Sequence, residues 1–149
     1  MPPEGMVHAL EIIRGLLKPG GNLIDIHPTG EPPRIELVQN DLRRFVGHLR
    51  ESDDFIEYGQ AQAALDQALD LGWFDLERSG TFQFVNWSPS IGELRAFLEG
   101  NWSDAILDPE IDRNVETLLK PSLGVQPEGA TSVEMTEIVR ISRYKRNAK

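Results

Sequence analysis

The stretch HALEIIRGLLKPGGNLIDIHP, from His8 to Pro28, joins a helical pattern to a short apolar run through a tight turn. Before the turn, apolar residues recur at the spacing of one helix face: Met6, Val7, Leu10, Ile13, Leu16 and Leu17. The Pro-Gly-Gly turn at 19–21 ends the helix, because proline and paired glycines permit a sharp reversal of the backbone. The run 22–27 is mostly apolar and does not alternate cleanly. It predicts a strand buried on both faces, as in a parallel sheet.

The composition is that of a single globular domain over residues 1–149. The formal net charge of −9 argues against a nucleic-acid partner, since phosphates would be repelled over most of the surface. The absence of cysteine excludes disulfides, thiolate metal sites and a cysteine nucleophile. The sequence shows no secretory leader, and none of its apolar runs reaches the length of about 18 residues that a membrane span requires. We therefore expect a soluble, cytoplasmic protein without a membrane partner.

The first segment of the chain, residues 1–39, is predicted to end in a short edge strand at 34–39. Two helices are predicted to follow this segment. Asn40 is a favoured helix cap, and the core side of its helix would consist of Leu42, Phe45, Val46 and Leu49. Ser52 and the two aspartates after it predict the start of the next helix, because early acids interact favourably with the helix dipole. Gly72 is placed to end that helix.

A hairpin and two further helices are predicted for the rest of the segment 40–120. Residues 73–78 and 81–87 indicate two strands around a Ser-Gly pair. Ser90–Glu93 matches the capping box, in which serine and glutamate satisfy free backbone amides at the start of a helix. Asp108–Pro109 provides the cap and first-turn residue of the last helix.

The C-terminal part is predicted to be a flexible loop at 121–131, followed by a strand and basic tail at 132–149. Proline and glycine are frequent in the loop, and β-branched residues are frequent from Val133 to Tyr144. The cations of this segment are Arg140, Arg143, Lys145, Arg146 and Lys149. They are either a docking patch for an anion or, as we favour, a solvated strand edge that charge protects from aggregation.

The phrase Leu17-Lys18-Pro19-Gly20-Gly21, between a helix and an apolar strand, resembles one found in class I S-adenosylmethionine-dependent methyltransferases. In that family it joins the fourth crossover helix to the fifth strand of a mostly parallel sheet. Leu71–Phe74 resembles a later helix-to-strand phrase of the same family. The resemblance implies an α/β fold with a partial Rossmann-like sheet, in which a parallel core strand is joined by antiparallel C-terminal strands. The helices between Ser90 and Lys120 would be additions to it.

The resemblance also implies a cofactor site that these residues lack. Such enzymes hold S-adenosylmethionine on a Gly-rich turn after the first strand, and an acidic residue at the end of the second strand holds the ribose. Neither feature is present, so the resemblance implies that the cofactor-binding half lies upstream of Met1 and that this chain alone binds no cofactor. We expect the C-terminal part of a small-molecule methyltransferase, inactive by itself. The alternative is a non-catalytic homodimerisation or interaction module that reuses half the fold.

Asp25 and His27 are the candidates for the substrate side of the site. In open α/β sheets, ligands lie beyond the carboxyl ends of the strands, and residues two apart on a strand share a face. Histidine there can orient a substrate or take a proton. The other interpretation is structural, with His27 capping the strand and Asp25 pairing locally. His8, His27 and His48 lack metal-ligand spacing, so we predict no metal site, and no catalytic residue is assigned.

The N-terminal helix and strand are predicted to form a homodimer interface. If Leu23–Ile26 is an interior strand of the parent fold, the loss of its neighbour leaves unpaired backbone groups along one edge. The same loss would leave one helix face partly uncovered: Met6, Leu10, Ile13 and Leu17. A two-fold dimer would cover both surfaces. Alternatively, the long C-terminal segment folds over the open edge.

Overall fold

The computed structural model describes residues 3–120 and 129–148. Its elements are α1 (Pro3–Leu16), β1 (Asn22–Pro28), β2 (Arg34–Gln39), β3 (Leu42–His48), β4 (Arg50–Glu51), α2 (Ile56–Asp70), β5 (Phe74–Ser88), α3 (Ile91–Asn101), β6 (Ala105–Ile106), α4 (Pro109–Leu119) and β7 (Thr131–Arg146). The chain divides into unit 1 (Met1–Glu31, Phe55–Gln83 and Ile138–Lys149) and unit 2 (Pro32–Asp54 and Phe84–Glu137). The described residues form an α/β protein with mostly antiparallel strand pairing. None of their helices is long and apolar enough to cross a membrane.

Unit 1 packs α1 against α2 over one face of its strands. The buried residues of its core are Leu10, Ala64, Leu65, Ala68, Phe74 and Tyr144. The α1 face that the sequence predicted to be partly uncovered packs on this core: Met6, Val7, Ile13 and Leu17 are partly buried there. The predicted Pro-Gly-Gly stop is confirmed, since Gly20 has a φ of 75° and the Gly21 amide donates to the Lys18 carbonyl at 2.8 Å.

β1 is not buried on both faces, and that prediction is wrong. Its side chains alternate, so that Ile24 and Ile26 are 52% and 58% exposed, while Leu23, Asp25 and His27 are partly covered. The reason is that α1 and α2 cover only one face of the strand. β7 pairs antiparallel along one edge of β1, and no other strand of the described residues pairs with β1.

β7 lies between β1 and β5 in unit 1, and the prediction of a long final strand is confirmed. The Asn147 amide donates to the Trp73 carbonyl at 3.1 Å, and Glu77 forms an ion pair with Arg143 at 2.9 Å. From Trp73 to Glu77 the residue numbers rise, while those of their partners fall from Asn147 to Arg143. β5 and β7 are therefore antiparallel. β1 bonds the same part of β7 and must therefore occupy its other edge.

Unit 2 contains a larger core, covered by α3 and α4. Its buried apolar residues are Ile35, Leu37, Val46, Leu49, Leu94, Leu98, Leu107, Ile111, Val115, Val133 and Met135. β2 pairs antiparallel with both β3 and β7, so the edge strand predicted at 34–39 is an interior one. The short strands β4 and β6 pair with each other.

The helix predicted after Asn40 is wrong, because the chain forms the strand β3 there. Asn40 and Asp41 have φ values of 48° and 65°, in the left-handed region that a two-residue hairpin turn requires. The turn pairs β2 with β3, and Val46 and Leu49 enter the core from extended backbone rather than from a helix face.

The hairpin predicted around Ser79-Gly80 is also wrong, because residues 74–88 form one continuous strand. Gly80 does not adopt a positive φ, so no reversal takes place there. The other helix predictions hold. α2 ends before Gly72 as predicted, although it begins at Ile56 rather than at Ser52. In α3 the Glu93 amide donates to the Ser90 hydroxyl at 3.2 Å, and α4 begins at Pro109. Most of the predicted loop 121–131 lies outside the described residues.

Candidate functional site

Asp25 and His27 form a hydrogen-bonded pair on the covered face of β1. Asp25 Oδ2 lies 2.6 Å from His27 Nδ1, and the two side chains are only 22% and 11% exposed. Because a carboxylate can only accept, Nδ1 of the neutral imidazole carries the proton, and Nε2 is left as an acceptor. The structure thus brings together the two residues that the sequence put on one face. The local pairing expected on the structural interpretation is present as well.

His27 lines a cleft of about 290 Å³ that is formed entirely by unit 1. Thr29, just beyond β1, and Arg140 of β7 line the same cleft. The helix α2 forms the facing wall through Tyr58, Gly59, Gln62, Ala63 and Asp66. The cleft lies at the carboxyl end of β1, which is where the sequence analysis expected a ligand.

A polar network connects the walls of this cleft. Gln62 accepts a hydrogen bond from Arg140 Nη1 at 3.1 Å through its Oε1, and donates to Asp66 Oδ1 at 2.8 Å through its Nε2. One amide therefore fixes a guanidinium on one side and a carboxylate on the other. The cleft thus offers both a cationic donor and an anionic acceptor, each held in place by the protein.

Tyr144, two per cent exposed, belongs to the buried core beside this network. Burial raises the pKa of Tyr144, and the Asp25 and Asp66 carboxylates raise it further, while hydrogen bonds with Ser142 and Gln62 act in the opposite direction. The phenol therefore stays neutral under ordinary conditions, and it adds no negative charge close to Asp25 and Asp66.

The register of β1 on β7 places these groups together. His27 stands opposite Arg140, and Leu23 opposite Tyr144. Sequence analysis missed Arg140 by treating all the cations of β7 as a solvated edge. The alternation of the strand could not identify the covered face, because Arg140 shares its parity with Tyr144 whereas Arg143 shares its parity with the apolar Ile141. Arg143 has the opposite parity and forms an ion pair with Glu77 instead.

A separate acidic group lies in unit 2, where oxygen atoms of Glu51, Asp53 and Asp104 are within 4.8 Å of one another. The sequence did not predict this group, because Asp104 is far from Glu51 and Asp53 in the sequence. Glu51 is only 4% exposed and accepts a hydrogen bond from Trp102 Nε1 at 2.7 Å. The Trp102 bond gives Glu51 a structural role in holding that indole.

The turn at 19–21 does not fit S-adenosylmethionine. Its paired glycines lie just before β1, and their amides are already bonded: Gly20 donates to Arg146 and Gly21 to Lys18. A Cβ on Gly21 would lie 2.8 Å from the Lys18 carbonyl oxygen, so this turn is closed on itself rather than open to a ligand.

No family model, no curated protein and no solved structure matches this chain.

Proposed function

We propose that this chain is the C-terminal part of a class I S-adenosylmethionine-dependent methyltransferase that acts on a small molecule, and that it is inactive alone. The observation that carries the proposal is the incomplete covering of β1, the strand after the Lys18-Pro-Gly-Gly turn. One edge of this strand has no partner strand in the described residues, and Ile24 and Ile26 are exposed on one face. A parallel-sheet core needs both neighbours and both faces covered, which further strands and helices of a longer protein would provide.

The strand directions in unit 1 support the same proposal. β1 and β5 are both antiparallel to β7 and therefore run parallel to each other, as the resemblance implies for a parallel core strand joined by an antiparallel C-terminal strand. Each of them follows a helix, α1 or α2, and these helices pack together on one face. The cleft beside His27 lies at the carboxyl end of β1, so it would form part of the substrate side. A cytoplasmic location belongs to the same proposal.

The test begins with the coding sequence upstream of Met1. An in-frame extension should encode a strand, a Gly-rich turn and, about 20 residues further on, an acidic residue. The extended protein should release S-adenosylhomocysteine when it is given S-adenosylmethionine and an acceptor. An in-frame stop close to Met1, with a ribosome-binding signal between them, would refute the proposal.

The chain of 149 residues should not bind S-adenosylmethionine by itself. Saturating ligand at 100 times its Kd stabilises a fold by about 2.7 kcal/mol, which thermal unfolding detects. We expect no shift of the unfolding temperature with the cofactor at millimolar concentration, because the turn at 19–21 is closed. A saturable shift would show that the cofactor site is made by residues of this chain.

The second candidate function is a homodimerisation module. It is favoured by the same unpaired β1 edge, which exposes backbone N–H and C=O groups next to Ile24 and Ile26. Two copies pairing through β1 about a two-fold axis would satisfy these groups and bury the isoleucines. This interface differs from the predicted one, because Ile13 and Leu17 already pack on the core of unit 1.

Sedimentation at micromolar concentration tests the dimer. A species of twice 16.7 kDa is expected for the dimer, and Ile26→Asp should dissociate it while leaving the circular dichroism spectrum unchanged. Leu71→Asp is the matched control, since Leu71 is similarly exposed, at 52%, but lies at the end of α2. A monomer at all concentrations, or a dimer that Ile26→Asp leaves intact, would rule out this interface.

A further inference from the structure

His27 and Arg140 offer complementary hydrogen-bonding groups to the same cleft. They stand directly opposite each other on antiparallel strands, so their Cβ atoms are about 4.5–5.5 Å apart. In the neutral form of His27, Nε2 is the acceptor, because Nδ1 donates to Asp25. Of the five N–H donors of Arg140, one is used by Gln62, and within residues 3–120 and 129–148 this is its only side-chain hydrogen bond.

We propose that the cleft binds a small aromatic carboxylate that carries a hydroxyl group. The carboxylate accepts from the guanidinium of Arg140, and the hydroxyl donates to Nε2 of His27. The claim that this ligand is the methylated substrate rests on the function proposed above. The claim that the cleft binds the ligand rests on the residues of unit 1 alone.

The size and walls of the cleft select this ligand class. Its volume of about 290 Å³ is just below the range of about 300–1,000 Å³ for sites that hold drug-sized ligands, so the ligand is small. Tyr58 and Ala63 form an apolar part of the α2 wall, against which a planar ring can pack.

The charges of the cleft favour one negative charge on the ligand over two. Arg140 and Asp66 supply one positive and one negative charge to the lining of the cleft, and Asp25 adds a second negative charge through its contact with His27. A dianionic phosphate would be repelled by the two carboxylates. A monocarboxylate carries one negative charge and accepts a hydrogen bond from Arg140. A hydroxyl group on the same ligand donates a hydrogen bond to an acceptor of the cleft.

Asp25 acts as a positioning residue in this proposal, because it fixes the proton of His27 on Nδ1 and leaves Nε2 as the acceptor. Asp25→Asn allows the side-chain amide to donate to Nδ1, which moves the imidazole proton to Nε2. The nitrogen-15 spectrum of neutral His27 distinguishes the two tautomers. We expect the signal of the Nδ1–H form in the parent chain and that of the Nε2–H form in the variant.

The binding test uses the chain as it exists, with 2-, 3- and 4-hydroxybenzoate, benzoate and phenol as probes in NMR titrations. At least one hydroxybenzoate should bind saturably, with shifts at His27 and Arg140, and more tightly than benzoate by about 5-fold, the value of one neutral hydrogen bond. Phenol, which lacks the carboxylate, should bind more weakly than that hydroxybenzoate by roughly 10-fold or more.

Two variants separate the two contacts. Arg140→Gln should weaken the hydroxybenzoate by about 10-fold or more and leave phenol unchanged. Asp25→Asn should remove the advantage of the hydroxybenzoate over benzoate, while benzoate itself binds as tightly as before or more tightly, because a negative charge beside the cleft is removed. Arg143→Gln is the control, because Arg143 lies on the other face of β7 and pairs with Glu77. If Arg140→Gln does not fold, Arg140→Lys, which keeps the charge but loses the fork, should weaken binding less than tenfold while retaining the preference for the carboxylate.

The proposal fails if no hydroxybenzoate perturbs His27 at millimolar concentration, or if Arg140→Gln and Arg143→Gln weaken binding equally. It fails separately from the proposed function. Binding without methyl transfer by the extended protein would overturn the methyltransferase proposal alone. Methyl transfer whose KM is unchanged by Arg140→Gln would overturn the ligand proposal alone.

Discussion

Unit 2 buries residues from three strands and two helices in one apolar cluster, whereas unit 1 covers only one face of β1 and leaves one edge of it without a partner strand in the described residues. Leu94 in unit 2 is 0% exposed, and Ile26 in unit 1 is 58% exposed, although both are aliphatic residues in regular structure. The difference indicates that unit 1, rather than unit 2, needs further protein surface to cover its strands. Unit 2 contains the layers that its sheet needs, and unit 1 presents a surface that the two proposals assign to different occupants.

The largest expected effect compares Leu94 with Ile26. Leu94→Ala should lower the free energy of unfolding by about 2–5 kcal/mol, because it leaves a cavity in a closed core. Ile26→Ala should change it by about 0.5 kcal/mol or less, as for an exposed residue. Urea unfolding measures both. A cost for Ile26→Ala that approaches that of Leu94→Ala would show that this face is covered in solution.

A smaller effect is expected from two glycines in strands. A Cβ on Gly47 in unit 2 would lie 2.7 Å from Ile111 Cγ1, whereas a Cβ on Gly80 in unit 1 meets nothing within 4 Å. Gly47→Ala should destabilise by about 1–3 kcal/mol through overpacking against α4. Gly80→Ala should be neutral or slightly stabilising, because alanine reduces the entropy of the unfolded chain. Equal unfolding midpoints for the two variants would contradict the close packing of β3 on α4.

The smallest effect concerns two acids of unit 2. Burial raises the pKa of Glu137, and the nearby Glu51 carboxylate adds to this. The folded state then binds more protons than the unfolded state as the pH rises from the ordinary glutamate range to the raised value, so stability falls over that window. Glu137→Gln should therefore stabilise at neutral pH, by about 0.5 kcal/mol or less, and change little in acid.

Asp108 provides the control of opposite sign. A hydrogen bond from Arg50 lowers the pKa of Asp108, so its contribution is present above the ordinary aspartate range and is lost as the pH falls through the lowered value. Asp108→Asn should slightly destabilise at neutral pH and have no effect in strong acid. Urea midpoints measured across the pH range compare the two variants, and pH profiles that change in the same direction would contradict these assignments.

Sequence patterns predicted the elements whose signals are local. The Pro-Gly-Gly turn, the Ser90–Glu93 capping box and the Asp108–Pro109 start each depend on residues within one turn, and each is present. The helix expected after Asn40 failed because that residue also suits a hairpin turn with φ above zero, and the neighbouring Asp41 adopts the same conformation. Periodicity over a few apolar residues could not decide between these outcomes.

The candidate site was predictable in part, because only some of its residues lie close together in the sequence. The pair Asp25 and His27 follows from the alternation of one strand, so sequence alone put the two residues on one face. Gln62, Asp66 and Arg140 come from two distant elements, and only the register of β1 on β7 brings Arg140 to His27. Which of the cations in β7 faces the cleft depends on that register, because large hydrophobic residues occur at both parities of the strand.

The pairing of β1 with β7 also has a kinetic consequence. In unit 2 the β2–β3 hairpin closes over two residues, so it can form as soon as both strands have been synthesised. β1 must wait for β7, its only strand partner in the described residues, which is made after all the other described elements. Contacts between such distant segments slow folding, because loop-closure entropy is lost before they form. During synthesis on the ribosome, the LIDI segment of β1 therefore stays accessible to chaperones longer than any strand of unit 2 that precedes β7.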